Sequence, residues 1–418
     1  MNQAFYTGIV GIQSHQYGID LVSDNIANIN TTGYRASRVE FASLFETALG
    51  TTSADAPLDS SVGTGSRVQA TSMLESSGAM SDTGVTTNLA LEGEGWFGIA
   101  TAEGKRYTRA GDFGFDASRD LVTPDGSYVL GTVGANISNG MLTQVLDTVP
   151  LDGADKQTAL NLPDNLLFPV KPTTETALFG NLGVDDVPRR IGAEVIDADG
   201  SRNALELRFT QSTPQPESGL LWEVAATVTG SDGTLYDSRN ATVTFDEFGA
   251  LTATTLSGID NNGTFVAIDL GTGYSGIQAT ANESAGTFSS VANGAEGGEL
   301  VGYDINQNAD IIATFTNGYQ SAVGKVAVYH FQNDQGLERV SGTRFRESAN
   351  SGSAFFYTDE AGNAIPGATV RSSMLEHSNV RLETSLTELI VLQRAFDANA
   401  KSVTTGDELI RKALEMDA

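Results

Sequence analysis

Two stretches have the spacing of a phosphate cradle. Gly93-Glu94-Gly95-Trp96-Phe97-Gly98 and Gly271-Thr272-Gly273-Tyr274-Ser275-Gly276 both satisfy G-x-G-x-x-G. A dinucleotide site needs a strand before that turn and a helix after it, so that the pyrophosphate meets a helix N-terminus. Here Trp96-Phe97 continues a β-type run, and residues 277–282 carry no helical stripe. In a chain with 46 glycines such spacings are expected by chance. Asp197-Ala198-Asp199-Gly200 has the carboxylates of a calcium loop, but its glycine is fourth where the EF-hand requires the sixth position, so it reads as a β turn. There is no cysteine to act as nucleophile, thiolate ligand or disulfide partner. The histidines, His15, His330 and His377, are scattered without ligand spacing. Carboxylates are abundant enough for a glycosidase-like pair, but sequence does not fix their separation. Trp96 and Trp222 read as core or interface anchors rather than sugar platforms. No catalytic, cofactor or metal site emerges.

The strongest pattern is apolar and lies at the chain ends. Residues 371–405 contain neither glycine nor proline, so a continuous helix to about residue 416 is expected. Leu375, Leu382, Leu389, Phe396, Val403 and Ile410 recur every seven residues, the period of a coiled-coil seam. Leu386 lies beside that seam. Leu389, Ile390, Val391 and Leu392 are consecutive, and at about 100° per residue they cover nearly the whole helix circumference. In the first thirty residues Phe5, Ile12, Ile19 and Ile26 repeat the interval, with Ile9 beside them. A terminal helix docked on its own domain would account for one stripe. A helix apolar on several sides, with a single long partner in the chain, points instead to burial among many copies of itself. These residues form the candidate assembly interface.

The bulk composition agrees with a large, non-catalytic chain. Its 418 residues suggest two or three domains. The net charge of −28 disfavours nucleic acid and anionic membrane surfaces. No run of about eighteen apolar residues appears, so membrane insertion is not expected. The opening residues hold no Lys or Arg before Arg35 and no apolar h-region, so a cleaved secretory leader is not expected either.

Between the ends, period-two runs alternate with turn signals. The first helix should stop near Asn28–Gly33, and residues 31–85 read as an extended connector, most clearly between Gly50 and Gly65. Residues 86–146 and 284–370 read as one β domain completed from two segments. Residues 147–283 read as an inserted outer β domain, with strands at 190–196, 204–210, 222–228, 241–245 and 264–270. That block holds 20 acidic and 7 basic residues, so it carries −13 of the total charge. The expected fold is multidomain. Residues 1–30 and 371–418 form a coiled-coil-like inner helical domain, beside two mainly-β domains, the second inserted into the first.

Three segments carry a family resemblance. The run from Asn25 through Thr31-Thr32-Gly33-Tyr34-Arg35 resembles the N-terminal signature of the bacterial flagellar rod and hook proteins. Leu91-Glu92-Gly93-Glu94-Gly95-Trp96-Phe97 and Tyr107-Thr108-Arg109-Ala110-Gly111-Asp112-Phe113, followed by Asp125-Gly126, are similar to that family's first β segment. Residues 378–400 resemble its C-terminal signature. The large insertion and the passage from Thr316 to Leu337 resemble the hook branch; the shorter rod proteins would lack most of residues 147–283. Ile9-Val10-Gly11 in place of a Ser-Gly-Leu start, and phenylalanine rather than tyrosine at Phe396, are departures that keep the apolar contacts.

The resemblance implies a homopolymeric helical tube joining rod to filament, a flexible universal joint that transmits torque. It implies rod and hook–filament junction proteins as neighbours, and a hook cap and the type III export apparatus as assembly partners. It also implies an extracellular location reached without a cleaved leader. A distal rod protein and, from a different class, an extracellular β-rich adhesin or glycan binder are the alternatives.

Overall fold

The computed structural model describes residues 2–43, 65–281, 286–360 and 362–416. The protein is mostly β, built as several domains, with its two terminal helices packed together. Helix α1 (Asn2–Ala27) ends where Asn28 begins a run of turns, and Gly33 takes φ +64°. A Cβ there would also collide with the backbone of Ala110.

Helix α2 is shorter than the glycine-free run allows. It spans Leu382–Met416, about 52 Å at 1.5 Å per residue. The expectation of helix from residue 371 is corrected here. Thr369–Ser372 pairs with Leu89–Glu92, and Met374–Glu376 pairs with Met80–Asp82. Those ladders satisfy the backbone while burying Val370 and Glu376, which local helix propensity cannot offset. Leu375 is therefore a strand residue, outside the helical seam.

The expected connector is also corrected in part. Strand β1 (Ser37–Ser43) pairs antiparallel with strand β2 (Ser66–Met73), and this ribbon packs on α1. Ser14 Oγ donates to Ser66 O at 2.6 Å, and Asn25 Nδ2 donates to Ser37 O at 2.7 Å. Of the segment expected to be most extended, only Gly65 is among the described residues.

Fifteen short strands form the largest sheet. Its meander of Gly298–Ile305, Asp310–Phe315 and Gln320–Val326 pairs with Tyr128–Val133, and Val328–Tyr329 pairs with Trp96–Phe97. Leu89, Phe97, Leu121, Val129, Ile311, Phe315 and Val326 share its core. Thr158–Ala159 and Leu167–Phe168 also pair into this sheet, so its first segment runs beyond the expected boundary at residue 146.

Residues 175–292 make two further five-stranded sheets. One is a meander, Arg189–Ile196, Arg202–Gln211, Leu220–Gly230, Leu235–Phe245 and Leu251–Thr254. In it buried and exposed residues alternate, as a sheet covered on one face requires. Trp222, Phe209, Leu205 and Val228 from this sheet pack against Leu178, Ile259, Val266 and Ile268 from the other. Lys171 and Ala295 form an isolated antiparallel bridge, each donating its N–H to the other's carbonyl, at 2.9 and 2.8 Å.

Candidate assembly interface

The terminal helices run antiparallel, and the seam between them is made of glycine. Gly8, Gly11, Ser14, Gly18, Val22 and Asn25 are the buried positions of α1. Their spacing of three or four residues puts them on one face. A Cβ on Gly8 would stand 2.7 Å from Val403 Cγ2, and one on Gly18 would stand 3.1 Å from the methyl groups of Leu392. Gly406 of α2 returns the arrangement, facing Phe5. The absence of side chains lets the two backbones approach closely, and dispersion contacts then replace knobs-into-holes packing.

This seam differs from the one read in sequence. Phe5, Ile9, Ile12, Ile19 and Ile26 flank it and are half-buried, as are Leu389, Phe396, Val403 and Ile410 on α2. Leu392 is the single buried side chain of α2. Leu382 and Leu386 are exposed, and Ile390 and Val391 are 58% and 60% exposed. The helix pair thus covers one side of α2 and leaves another apolar side open.

Where the helices meet the β structure lies a buried polar joint that sequence reasoning missed. Arg35 Nη2 is 3.1 Å from Glu376 Oε1, and Arg109 Nη1 is 3.8 Å from Glu376 Oε2; all three side chains are buried. Glu376 further accepts the Gly78 N–H at 2.9 Å, while its backbone carbonyl accepts the Gly33 N–H at 2.8 Å. Asn379 accepts the Ala36 N–H at 2.7 Å and donates to Leu74 O and Ser76 O at 2.9 and 2.8 Å. Gln335 grips Met73 like an added strand, accepting its N–H at 2.7 Å and donating to its carbonyl at 2.8 Å. The Arg339 guanidinium lies over Tyr34 and Phe345 and donates to the carbonyl of Arg35.

Burial governs the ionisation of this joint. It pushes the Tyr34 hydroxyl, which donates to Asp24 Oδ2 at 3.0 Å, up to about 12. Burial, followed by the nearby Arg35 charge, brings the Arg109 guanidinium down to about 10, against the pull of Glu376. A cavity of about 220 Å³ adjoins the joint, lined in part by Arg109, Trp96, His330 and Asp334. Desolvation there raises Asp334 and lowers His330, so both are driven toward their neutral forms. One sequence signal pointed here: Arg35 is the first basic residue of the chain and follows a neutral Asn/Thr/Gly segment.

The other sequence candidates resolve as structure. Asp197 is buried, and its carboxylate accepts from Asp199 N, Ser201 N, Asn203 Nδ2 and Asn262 Nδ2, while Gly200 N donates to Asp197 O. Four donors on one carboxylate make a closed turn rather than a cation loop. Gly93–Gly98 leads into the strand Trp96–Thr101, and Gly271–Gly276 into Ile277–Gln278, so neither opens a helix. Trp96 and Trp222 are core residues.

The comparisons with known proteins follow the same three segments. Residues 5–35 match the family model described as flagella basal body rod protein. Residues 90–166 match the flagellar hook protein FlgE/F/G D1 domain, and residues 371–416 match the flagellar basal body rod FlgEFG protein C-terminal. The flagellar hook protein FlgE of Borreliella burgdorferi is 29% identical over the full length of both chains. That of Escherichia coli is 24% identical over 99% of this chain and all of its own. The chain belongs to the bacterial flagellar hook protein family.

In fold, the hook subunit is similar to the crystal structure of Helicobacter pylori flagellar hook protein FlgE2. The TM-score is 0.55 at 15% identity, over 71% of this chain and all of that one. As a hook-family chain it is a structural subunit of the flagellum, located in the hook outside the cell, within a family of structural rather than enzymatic proteins. Arg35, Arg109 and Glu376 come one from each of the three family-matched segments, so the buried joint is where those segments meet.

Proposed function

We propose that this subunit polymerises into a curved tube acting as a universal joint, with the terminal helices as inner wall and the sandwich outermost. In this reading residues 1–30 and 382–416 form the inner domain. The large sheet, from two chain segments, forms the middle, and the sandwich of residues 175–292 is a domain inserted into it. The observation that carries the reading is the open side of α2, where Leu382, Leu386, Ile390 and Val391 face solvent in a single copy. Apolar faces of that kind are stable only when covered, and at about 25 cal/mol per Å² each added copy gains from covering them. Leu389, Phe396, Val403 and Ile410 hold the intramolecular pair, and the exposed set joins copies.

The inner contacts are apolar and fix the lattice, whereas outer contacts between acidic, threonine-rich sandwiches exchange as each copy passes from the compressed to the extended side. Bending therefore changes neighbours outside and preserves them inside. The chain carries no catalytic role, binds no nucleic acid and does not insert in membranes. It meets the rod below and the hook–filament junction proteins above, under a hook cap. Export through the flagellar type III apparatus in an unfolded state keeps such adhesive helices from associating inside the cell.

Electron microscopy of the purified, assembled chain tests this. Curved tubes are expected, and subunits compared around the curve should keep their helix neighbours; rearranged helices with fixed outer contacts would defeat it. Protease should trim about the first thirty and last forty residues from monomers and spare them in tubes. Equal trimming in both states would contradict the inner-wall placement.

A further inference from the structure

The sandwich carries an exposed aromatic corner that its own core does not use. Phe248 is 70% exposed and Tyr274 58% exposed, on two neighbouring turns. Both turns are held by hydrogen bonds. The Asp246 carboxylate accepts the N–H groups of Phe248 and Ala250 at 2.9 and 2.8 Å. Leu251 and Gly273 exchange backbone hydrogen bonds at 2.8 and 3.0 Å, and Tyr274 Oη donates to Phe248 O at 3.3 Å. Such pre-ordered aromatic surface loses little entropy on contact. The two turns carry carboxylates, Glu247 beside Phe248 and Asp269, which accepts the Gly271 N–H, and the chain between Arg239 and Lys325 has no Lys or Arg.

The complementary feature lies elsewhere on the same sandwich. Arg189, Arg190, Arg202 and Arg239 each have a carboxylate partner. Arg208 is exposed and, among the described residues, makes no ion pair. It is the cross-strand partner of Arg190, so two guanidinium groups share that surface, although one Glu206 serves Arg190.

We propose that the sandwiches of neighbouring copies meet head to tail, the Phe248–Tyr274 corner of one seated on the Arg208 face of the next. An unpaired arginine fits an acidic aromatic corner through cation–π contact and charge together. Because the two surfaces differ, the contact is heterologous and propagates into an open helix rather than closing as a dimer. It also places opposite charges at the junction of domains whose net charge is otherwise repulsive. This inference rests on the polymer reading above and adds the contact that the outer domains exchange.

The cysteine-free chain makes the test direct. The full-length double variant Glu247→Cys/Glu206→Cys, which keeps Phe248 and Arg208, polymerised and then mildly oxidised, should give a ladder of covalent multimers on denaturing gels. Dispersed monomers of the same variant should not. Tubes that form without a ladder overturn the contact, as does a dimer from either single-cysteine variant, which would mean a two-fold contact. Should the double variant fail to polymerise, hydroxyl-radical footprinting of the unaltered chain decides. Phe248 and Tyr274 should be protected severalfold in tubes relative to monomers; tubes in which both react as in monomers overturn this contact alone. An unaltered chain that forms no tubes removes the polymer reading and this contact with it.

Discussion

The sandwich and the terminal helices use apolar residues in opposite ways. Between its sheets the sandwich places Trp222, Phe209, Val224, Val243 and Ile259 out of contact with water within one copy. Helix α2, with 35 residues, buries only Leu392. The first is a finished fold, and the second leaves an apolar side open, which in the proposed tube is covered by other copies. The polar joint at Glu376 ties the segments next to the helices to the large β structure through buried, directional contacts rather than through a loose linker. In the proposed tube that rigidity would confine the exchange of neighbours to contacts between copies.

If the sandwich is self-sufficient, its stability should depend on its own core. Trp222→Ala is expected to cost roughly 3–5 kcal/mol. Chemical denaturation followed by fluorescence and circular dichroism should show the β transition moved to lower denaturant with the helical signal intact. Simultaneous loss of both signals would mean that the two regions fold as one.

The joint gives the next effect, through pH. An unfolded tyrosine ionises near its ordinary value of 10.0, whereas folded Tyr34 holds its proton to about 12. Its contribution is fully present below pH 10 and is lost as pH rises through about 12, because the unfolded state releases the proton first. Across that window the loss is roughly 2–3 kcal/mol, by the conversion of about 1.4 kcal/mol per pKa unit. Arg109, held at about 10, acts in the other direction over the same range. The comparison is therefore between wild type and Tyr34→Phe: the variant should lose less stability between pH 10 and 12, in denaturation curves taken at each pH. Identical alkaline losses would remove Tyr34 from the joint's energetics.

What was legible in the sequence follows the same division. Strands at 190–196, 204–210, 222–228, 241–245 and 264–270 fall within observed strands or overrun them by one residue, because one-face burial stamps a period of two on each. The turn pairs Asp199-Gly200, Asp232-Gly233 and Asn262-Gly263 bear glycines near φ +85°. The glycine part of the helix seam is hidden in the sequence because glycine carries no apolar signal, yet Gly8, Gly11 and Gly18 make the close approach. The start of α2 was misplaced because the strand partners of residues 369–376 lie nearly 300 residues away, where no local pattern reports them. Glu376 was hidden for the same reason: its partners Arg35 and Arg109 are remote in sequence.

The glycine seam offers a smaller test. Gly8→Leu must displace Val403 and press on the Asn399 carbonyl, which a Cβ would already meet at 3.2 Å. Overpacking of this kind costs about 1–3 kcal/mol, against a gain of about 1 kcal/mol in helix propensity. The pairing of the helices should weaken, seen as faster proteolytic trimming of both ends in the monomer. Unchanged trimming would mean that the seam does not hold the pair.

The smallest effect on the isolated chain should come from a residue on the proposed interface between copies. Ile390 is exposed, so Ile390→Asp removes no buried contact and introduces no buried charge in one copy. Exposed substitutions of this kind usually stay within about 0.5 kcal/mol, and the thermal midpoint of the monomer should hardly move. In a tube the same carboxylate would be enclosed by neighbouring copies, and an unpaired buried charge costs several kcal/mol at every subunit. Polymerisation, followed by sedimentation, should then fail although the subunit remains folded. Trp222→Ala should do the converse, weakening the monomer while leaving the helical wall competent to assemble below its melting temperature. Normal sedimentation by Ile390→Asp would place the open side of α2 away from other copies, and the division between a finished and an unfinished region would have to be redrawn.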